Sequence, residues 1–204
     1  MKKTIILTVL SVLLLSNCSS DDNNDITEAE TQELTQDEIN DLIFLREEEK
    51  LARDVYLHSF NTYNIAIFNN IAKSEQSHMD NVLAVMKKYN IPDSANAEIG
   101  VFNNQEIQTI YDNLIIQSDI SLVEALIVGA IIEDLDINDI KDFINNTIKP
   151  DLLSVYDKLT CGSKNHIRSY TNQLYNNDII YTPQYISIDY YNSILSETGG
   201  GCGN

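Results

Sequence analysis

Positive charge is scarce in this sequence. Its 204 residues carry 13 Lys and Arg against 31 Asp and Glu, a formal net charge of −18. Nucleic-acid phosphates need a basic face, so nucleic acid is excluded as a partner. An anionic membrane surface is excluded as an electrostatic partner for the same reason. Long apolar runs are also missing. The uncharged stretch Thr4 to Leu15, TIILTVLSVLLL, falls short of the ~20 apolar residues that span a bilayer. There are only three prolines. Nothing resembles a nucleophilic triad, a phosphate loop or a dinucleotide fingerprint, and no internal repeat has a clear period. Beyond residue 35 the apolar residues recur at spacings of three and four rather than two, which predicts an all-α domain.

What is present begins with an address. Lys2 and Lys3 precede the apolar stretch, and Leu15-Ser16-Asn17-Cys18 follows it. This order reads as a signal peptide over residues 1–17. The last four residues resemble the lipobox of bacterial lipoproteins, in which the cysteine is lipidated and becomes the new N-terminus. Asn17 is larger than the usual residue there. The alternative is an ordinary secretory signal with an incidental Cys18. Residues 18–34 are polar, acidic and nearly free of large apolar groups, a composition that cannot fold alone and suits a tether. The expected location is the cell envelope, with the membrane as a partner through the lipid anchor. A homodimer is an open option.

Two further cysteines, Cys161 and Cys202, are an even pair in a chain expected to enter an oxidising compartment. They read either as a disulfide or as two unrelated thiols. A bridge would close a loop worth about 4 kcal/mol on a chain-entropy model and would pin the tail TGGGCGN to the domain.

Four long helices are predicted over residues 35–175. The first opens at Thr35, in a capping box with Glu38, and runs to about Phe60. The second runs from about Ala66 to Tyr89. A crossover from Asn90 to Ile120 holds a shorter helical pattern around Ile107 and Leu114. The third helix opens at Ser121, in a second capping box with Glu124. The fourth begins near Pro150, a residue favoured at the first helical position. Gly162 inside it costs about 1 kcal/mol against Ala. Residues 176–204 form a Tyr-rich extension with a short helix near Asp189 to Leu195 and a Gly-rich tail. One long crossover between the second and third helices is the wiring of a ferritin-like four-helix bundle.

Ionisable residues interrupt the apolar stripes. Glu75 and His78 stand on the second, Glu133 and Asp136 on the third, His166 on the fourth. On the first helix Glu48 falls within the apolar sector, Glu49 at its edge and Glu47 on the outer face. Any one of these reads as a partly exposed or hydrogen-bonded side chain. Together they require a shared compensating charge, because an unpaired buried charge costs several kcal/mol. A divalent cation supplies it, and oxygen with imidazole suits iron, manganese or zinc. Glu75 and His78 are three residues apart and share one helical face. His58 lies near the polar edge of its helix and reads as solvated. Tyr56 and Tyr170 read as core packing, with hydrogen-bond donors to the ligands or radical carriers as the alternative.

Three segments carry a family resemblance. Glu49-Lys-Leu-Ala52-Arg53-Asp-Val-Tyr56 is similar to the Glu-x-x-Ala-Arg-x-x-Tyr of the first rubrerythrin helix. Glu75-Gln-Ser-His78 resembles the Glu-x-x-His of the second, and Gly129-Ala-Ile-Ile-Glu133 the Gly-x-x-x-Glu of the third. More closely, EEEKLARDVY, FNNIAKSEQSHM, EALIVGAIIEDLDI and CGSKNHIRSY together resemble the uncharacterised ferritin-like family called domain of unknown function 2202. The resemblance implies Glu49, Glu75, His78, Glu133 and His166 as ligands of iron or manganese. It departs in the fourth helix, which reads Ser163-Lys-Asn-His166 where a second Glu-x-x-His is the pattern. Asp136, one turn beyond Glu133, is the candidate substitute carboxylate, and Glu48 is a weaker candidate. Otherwise the site holds one metal, two in an unusual geometry, or none. Two function classes follow: a metal-binding module with oxidase or peroxidase chemistry, and a non-catalytic envelope scaffold. The sequence does not decide whether the chain is an enzyme.

Overall fold

The structure is a computed structural model and describes residues 33–202. The expected signal peptide, Cys18 and all of the tether except Glu33 and Leu34 lie outside the described residues.

Six α-helices and no strand make up the described residues. Helix α1 (Gln36–Tyr63) starts on the expected capping box. Thr35 Oγ1 accepts from the Glu38 N–H at 3.2 Å, and Glu38 Oε2 accepts from the Thr35 N–H at 2.8 Å. The helix outlasts its expected end at Phe60 and stops at Asn64, which adopts φ 54°. Asn is among the few residues that tolerate this left-handed region. A two-residue link leads to α2 (Ala66–Lys88). The crossover contains α3 (Gln105–Ser118), whose first N–H groups bond the Asn104 side chain. Helix α4 (Leu122–Asn145) forms only half of its expected capping box. Ser121 Oγ accepts from the Glu124 N–H, but the Glu124 carboxylate accepts from Gln117 Nε2 instead. Helix α5 (Pro150–Tyr175) opens on Pro150, and α6 (Ile188–Ser196) lies in the extension.

The four long helices close a ring of neighbours. α1 packs on α2 and α4, and α5 packs on the same two. α3 covers α1 and α4 from outside, and α6 rests on α5. The core inside the ring has three layers. One apolar cluster includes Leu51, Val55, Phe68, Ile71, Ile132 and Ile167. The other includes Leu42, Leu45, Val82, Met86, Leu152 and Leu159. Between them along each long helix lie the polar positions: 48–49 on α1, 75–78 on α2, 133–136 on α4 and 163–166 on α5. Each helix therefore reads apolar, polar, apolar along its inner face. Apolar layers on both sides exclude water from the polar one, which sharpens every electrostatic interaction in it.

Buried carboxylates fasten the connections to this frame. Lys50 and Asp54 form an ion pair at 2.7 Å, almost fully buried. Lys50 Nζ also donates to the carbonyls of Glu98 and Val101, and Asp54 accepts from the Gly100 N–H, so the pair grips the crossover. Glu47 was expected on the outer face. It is buried instead, accepting from the N–H groups of Asn103 and Asn104 at 3.0 and 2.9 Å. The helical wheel missed this because α3 covers that face. Asp134 accepts from Tyr181 Oη and from the N–H groups of Gln184, Tyr185 and Ile186, which holds the extension against α4. Cys161 and Cys202 are joined in a disulfide, with their Cα atoms 5.5 Å apart. His58 sits at the surface, 2.7 Å from Asp119.

Candidate metal centre

The polar layer brings five of the sequence candidates together. Glu49, Glu75 and His78 place one ligand atom each within 4.8 Å of one another, and so do Glu75, Glu133 and His166. All five are buried. Two atoms bound to one ion at ~2.1 Å are at most ~4.2 Å apart, so both trios are close to a binding span. Glu75 belongs to both. Its Oε2 lies 2.7 Å from His78 Nδ1 and its Oε1 lies 2.8 Å from His166 Nδ1, the latter without hydrogen-bond alignment. Each imidazole meets a second carboxylate through the same nitrogen. His78 Nδ1 is 3.1 Å from Glu49 Oε2, and His166 Nδ1 is 3.3 Å from Glu133 Oε2. One N–H cannot donate well to two acceptors, so this convergence leaves part of each carboxylate unserved.

The other two candidates lie beside the trios and in neither. Asp136 is buried and takes the hydroxyl of Ser163, with Glu49, Glu133 and Glu75 facing it. The position where the pattern expects a glutamate is thus occupied by a serine that holds an aspartate from the neighbouring helix. Glu48 is 4% exposed and faces Asp136, Asp139 and Glu49.

The electrostatics follow from this crowding. Burial pushes the His166 imidazole down, but Glu75 and Glu133 outweigh it and lift it to about 10. His78 is raised in the same way, against burial, by Glu49 and Glu75. Burial pushes Glu75 up, but the two imidazoles beside it hold it well below the usual carboxylate range. Glu49 is pushed up to about 7, burial prevailing over the attraction of His78. Burial also raises Glu133, despite His166 beside it. Asp136 and Glu48 are raised well above their usual values by burial and by the carboxylates facing them.

Supporting residues fix the ligands. Tyr56 Oη donates to Glu133 Oε1 at 2.5 Å. Its ring centroid is 5.3 Å from that of Tyr170, so Tyr56 both packs and orients the Glu133 carboxylate. His166 Nε2 lies 3.0 Å from Ser74 Oγ, on the residue just before Glu75. Gly162 has a purpose beyond its cost in helix propensity. A Cβ there would collide with His78 Nε2. Gly129 likewise leaves room for the ring of Tyr170. Each of these glycines stands four residues before a candidate ligand, Glu133 or His166. That spacing was the available signal for Gly162, and propensity reasoning alone passes over it.

Buried oxygens without partners test the fit of a cation. Glu49 Oε1, Glu75 Oε1 and Asp136 Oδ1 are buried without any hydrogen bond, as are both oxygens of Glu48. Buried polar atoms are ordinarily satisfied, so such a set at one level of a core matches the donor set of a hard divalent ion.

The family profile described as "Uncharacterized protein domain (DUF2202)" matches residues 38–198. The chain belongs to this family. The DUF2202 match covers all six helices but for Gln36 and Asp37 at the start of α1. The chain is 49% identical over 168 residues to "Uncharacterized protein MJ0754" of Methanocaldococcus jannaschii, covering 82% of this chain and 91% of that protein. It is also similar to the crystal structure titled as hypothetical protein MJ0754 from Methanococcus jannaschii, with a TM-score of 0.81 and 48% identity. That similarity covers 83% of this chain and 97% of the other. Buried Glu and His groups that could hold a metal ion therefore lie in a DUF2202 domain of all-helical fold.

Proposed function

We propose that this DUF2202 domain is a ferritin-like four-helix bundle that binds divalent metal, iron or manganese, with oxidase- or peroxidase-type chemistry. The carrying observation is that one carboxylate, Glu75, reaches both imidazoles and belongs to both ligand trios. Glu49 and His78 would complete one position, Glu133 and His166 the other. When bound, a redox-active pair would supply open positions and a shared electron change for dioxygen or peroxide.

The protein's own residues have definable tasks. His78 and His166 must each give up a proton from Nδ1 before that nitrogen can bind a cation. Tyr56 holds Glu133 in place by donating to it. Ser74 Oγ holds the His166 ring from the other side, accepting from Nε2–H once Nδ1 is free. Ser163 restrains Asp136, so that Asp136 stands ready beside Glu49 and Glu133. The two apolar layers keep water out.

Envelope anchoring through Cys18 belongs to the same proposal, and the Cys161–Cys202 disulfide supports export to an oxidising compartment. Cys18→Ser should move the protein from the membrane fraction to the soluble one. Fractionation unchanged by that substitution defeats the anchor.

Metal analysis of protein purified without chelator, followed by optical and magnetic-resonance spectra, tests the centre. Bound iron or manganese that disappears in Glu75→Ala is the expected result. A folded wild-type protein that retains neither iron nor manganese after exposure to each would overturn it and leave a scaffold with a polar core.

A further inference from the structure

Four acids on α4 are spaced three residues apart: Glu133, Asp136, Asp139 and Asp142. A helix turns about 100° per residue, so each step of three rotates the side chain back by about 60°. The ladder therefore winds from the core to the surface. Glu133 and Asp136 are buried, Asp139 is half-buried and Asp142 is exposed. Asp139 and Asp142 open into a surface cavity of about 490 Å³ between α1 and α4, lined also by Asp41, Phe44, Glu47 and Phe143. Glu48 on α1 is buried near both Asp136 and Asp139, close enough for each to raise its carboxyl.

Glu48 is the decisive residue. Its two carboxylate oxygens are buried and receive no donor from the chain, and the side chain beside them, Asp139, is itself an acid. The inner oxygen Oδ1 of Asp136 is in the same state. Glu47, one residue earlier and also on the cavity, has donors on both oxygens and is a structural group. Glu48 has no such task, and it is the buried carboxylate next to the cavity that lacks a donor.

We propose that Asp142, Asp139, Glu48 and Asp136 form the route by which divalent cations pass from the α1–α4 cavity to the centre around Glu75. This rests on the metal-binding reading above. A cation would exchange water for carboxylate oxygen stepwise, and the graded burial of the four acids sets that order. Glu48, Asp136 and Asp139 do not close into a single ligand cluster, which suits transfer rather than storage.

The test is the rate of Co(II) uptake by the full metal-free protein, followed by the visible bands of bound cobalt. Glu48→Gln and Asp139→Asn should each slow uptake about tenfold and leave the final cobalt content unchanged. Asp142→Asn should slow it about twofold, an effect that fades at high salt because that residue is exposed. Asp157→Asn, an exposed acid on α5, should change nothing. Wild-type rates in Glu48→Gln and Asp139→Asn would overturn the route. Loss of final cobalt content in Glu48→Gln would also overturn it, because Glu48 would then be a ligand. A wild-type protein that never takes up cobalt would refute the metal reading itself, a result separate from both.

Discussion

Two sets of buried carboxylates coexist in this small core, and they differ in what surrounds them. Asp54 accepts from Lys50, Arg53 and the Gly100 N–H, and Asp134 from four donors of the C-terminal extension. Glu47 accepts from the Asn103 and Asn104 N–H groups that lead into α3, and Glu38 takes the Thr35 N–H, Thr147 Oγ1 and Lys149 Nζ. Every one of these negative charges is matched by donors in the chain itself. In the polar layer Glu48 has no donor at all, and Glu49, Glu75 and Asp136 each leave one oxygen bare. Burial is equal in the two sets. What separates the two sets is satisfaction: a matched carboxylate holds two segments together, and an unmatched one is open to a cation.

Removing a member of each set should break the comparison in opposite ways. Asp134→Ala leaves a buried phenol and three N–H groups without an acceptor. The buried ones, the Tyr181 phenol and the Ile186 N–H, cost about 1–3 kcal/mol each, so the loss of stability in chemical denaturation should reach at least about 2 kcal/mol. Metal content of the remaining folded protein should be normal. Equal stability of Asp134→Ala and wild type would remove the distinction between the sets.

Gly162→Ala addresses the unmatched set through packing. The added methyl meets His78 Nε2 and must displace the imidazole. Overpacking of this kind costs about 1–3 kcal/mol. Metal affinity should fall about 10- to 100-fold, the size of effect seen when a ligand's supporting contacts are lost. Gly200→Ala, where nothing lies within 4 Å, is the control that should leave both quantities alone. Retention of full affinity in Gly162→Ala would exclude His78 from the centre.

Proton occupancy gives a smaller signal, with a fixed sign. In the metal-free protein His166 is raised to about 10 and His78 is raised with it. A group raised on folding contributes stability that is complete below its unfolded value, ~6.5 for histidine, and is lost as pH climbs through the folded value. Glu49, raised to about 7, adds a loss of the same sign between its unfolded value and 7. Thermal midpoints of the metal-free protein should therefore fall between pH 6 and pH 10. The metal-loaded protein should lack this slope, because metal rather than protons then occupies the imidazoles. Identical slopes for the two forms would mean that metal does not bind at His78 and His166.

The sequence made the helices legible because their caps and stripes are local. Thr35, Ser121 and Pro150 open helices at the expected places, and the short helix in the extension lies within a residue of its expected ends. Glu75, His78, Glu133 and His166 were readable because each breaks an apolar stripe, whereas Glu49, at the edge of its stripe, was readable through the resemblance of its segment. Long-range satisfaction was not readable. Asp134 and Asp54 look like surface acids until residues about fifty positions away deliver N–H groups to them. Glu47 was misplaced on the wheel because a wheel knows only its own helix, and α3 arrives from the crossover. Ser74 and Gly162 act on rings belonging to other helices, so neither announces itself in its own segment.

Glu48→Gln should have the smallest effect on stability, and its sign is the sharpest point of the comparison. For a matched acid such as Asp54, conversion to the amide removes an ion pair and puts donors against donors. For Glu48 it does the reverse, because the carboxyl faces only Asp136, Asp139 and Glu49. The new amide can donate to them. One hydrogen bond of this kind is worth about 1 kcal/mol, so the metal-free variant should be more stable than wild type by roughly that amount. The gain should depend on pH. Glu48 is raised well above its usual value by burial and its acidic neighbours, so its ionisation costs the folded wild type more as pH rises. Replacement by Gln removes that cost, and the gain should be larger at pH 8 than at pH 5. Destabilisation by Glu48→Gln at both pH values would show that the carboxylate has a donor after all. Glu48 would then join the matched set, and the loading route would lose its first buried step.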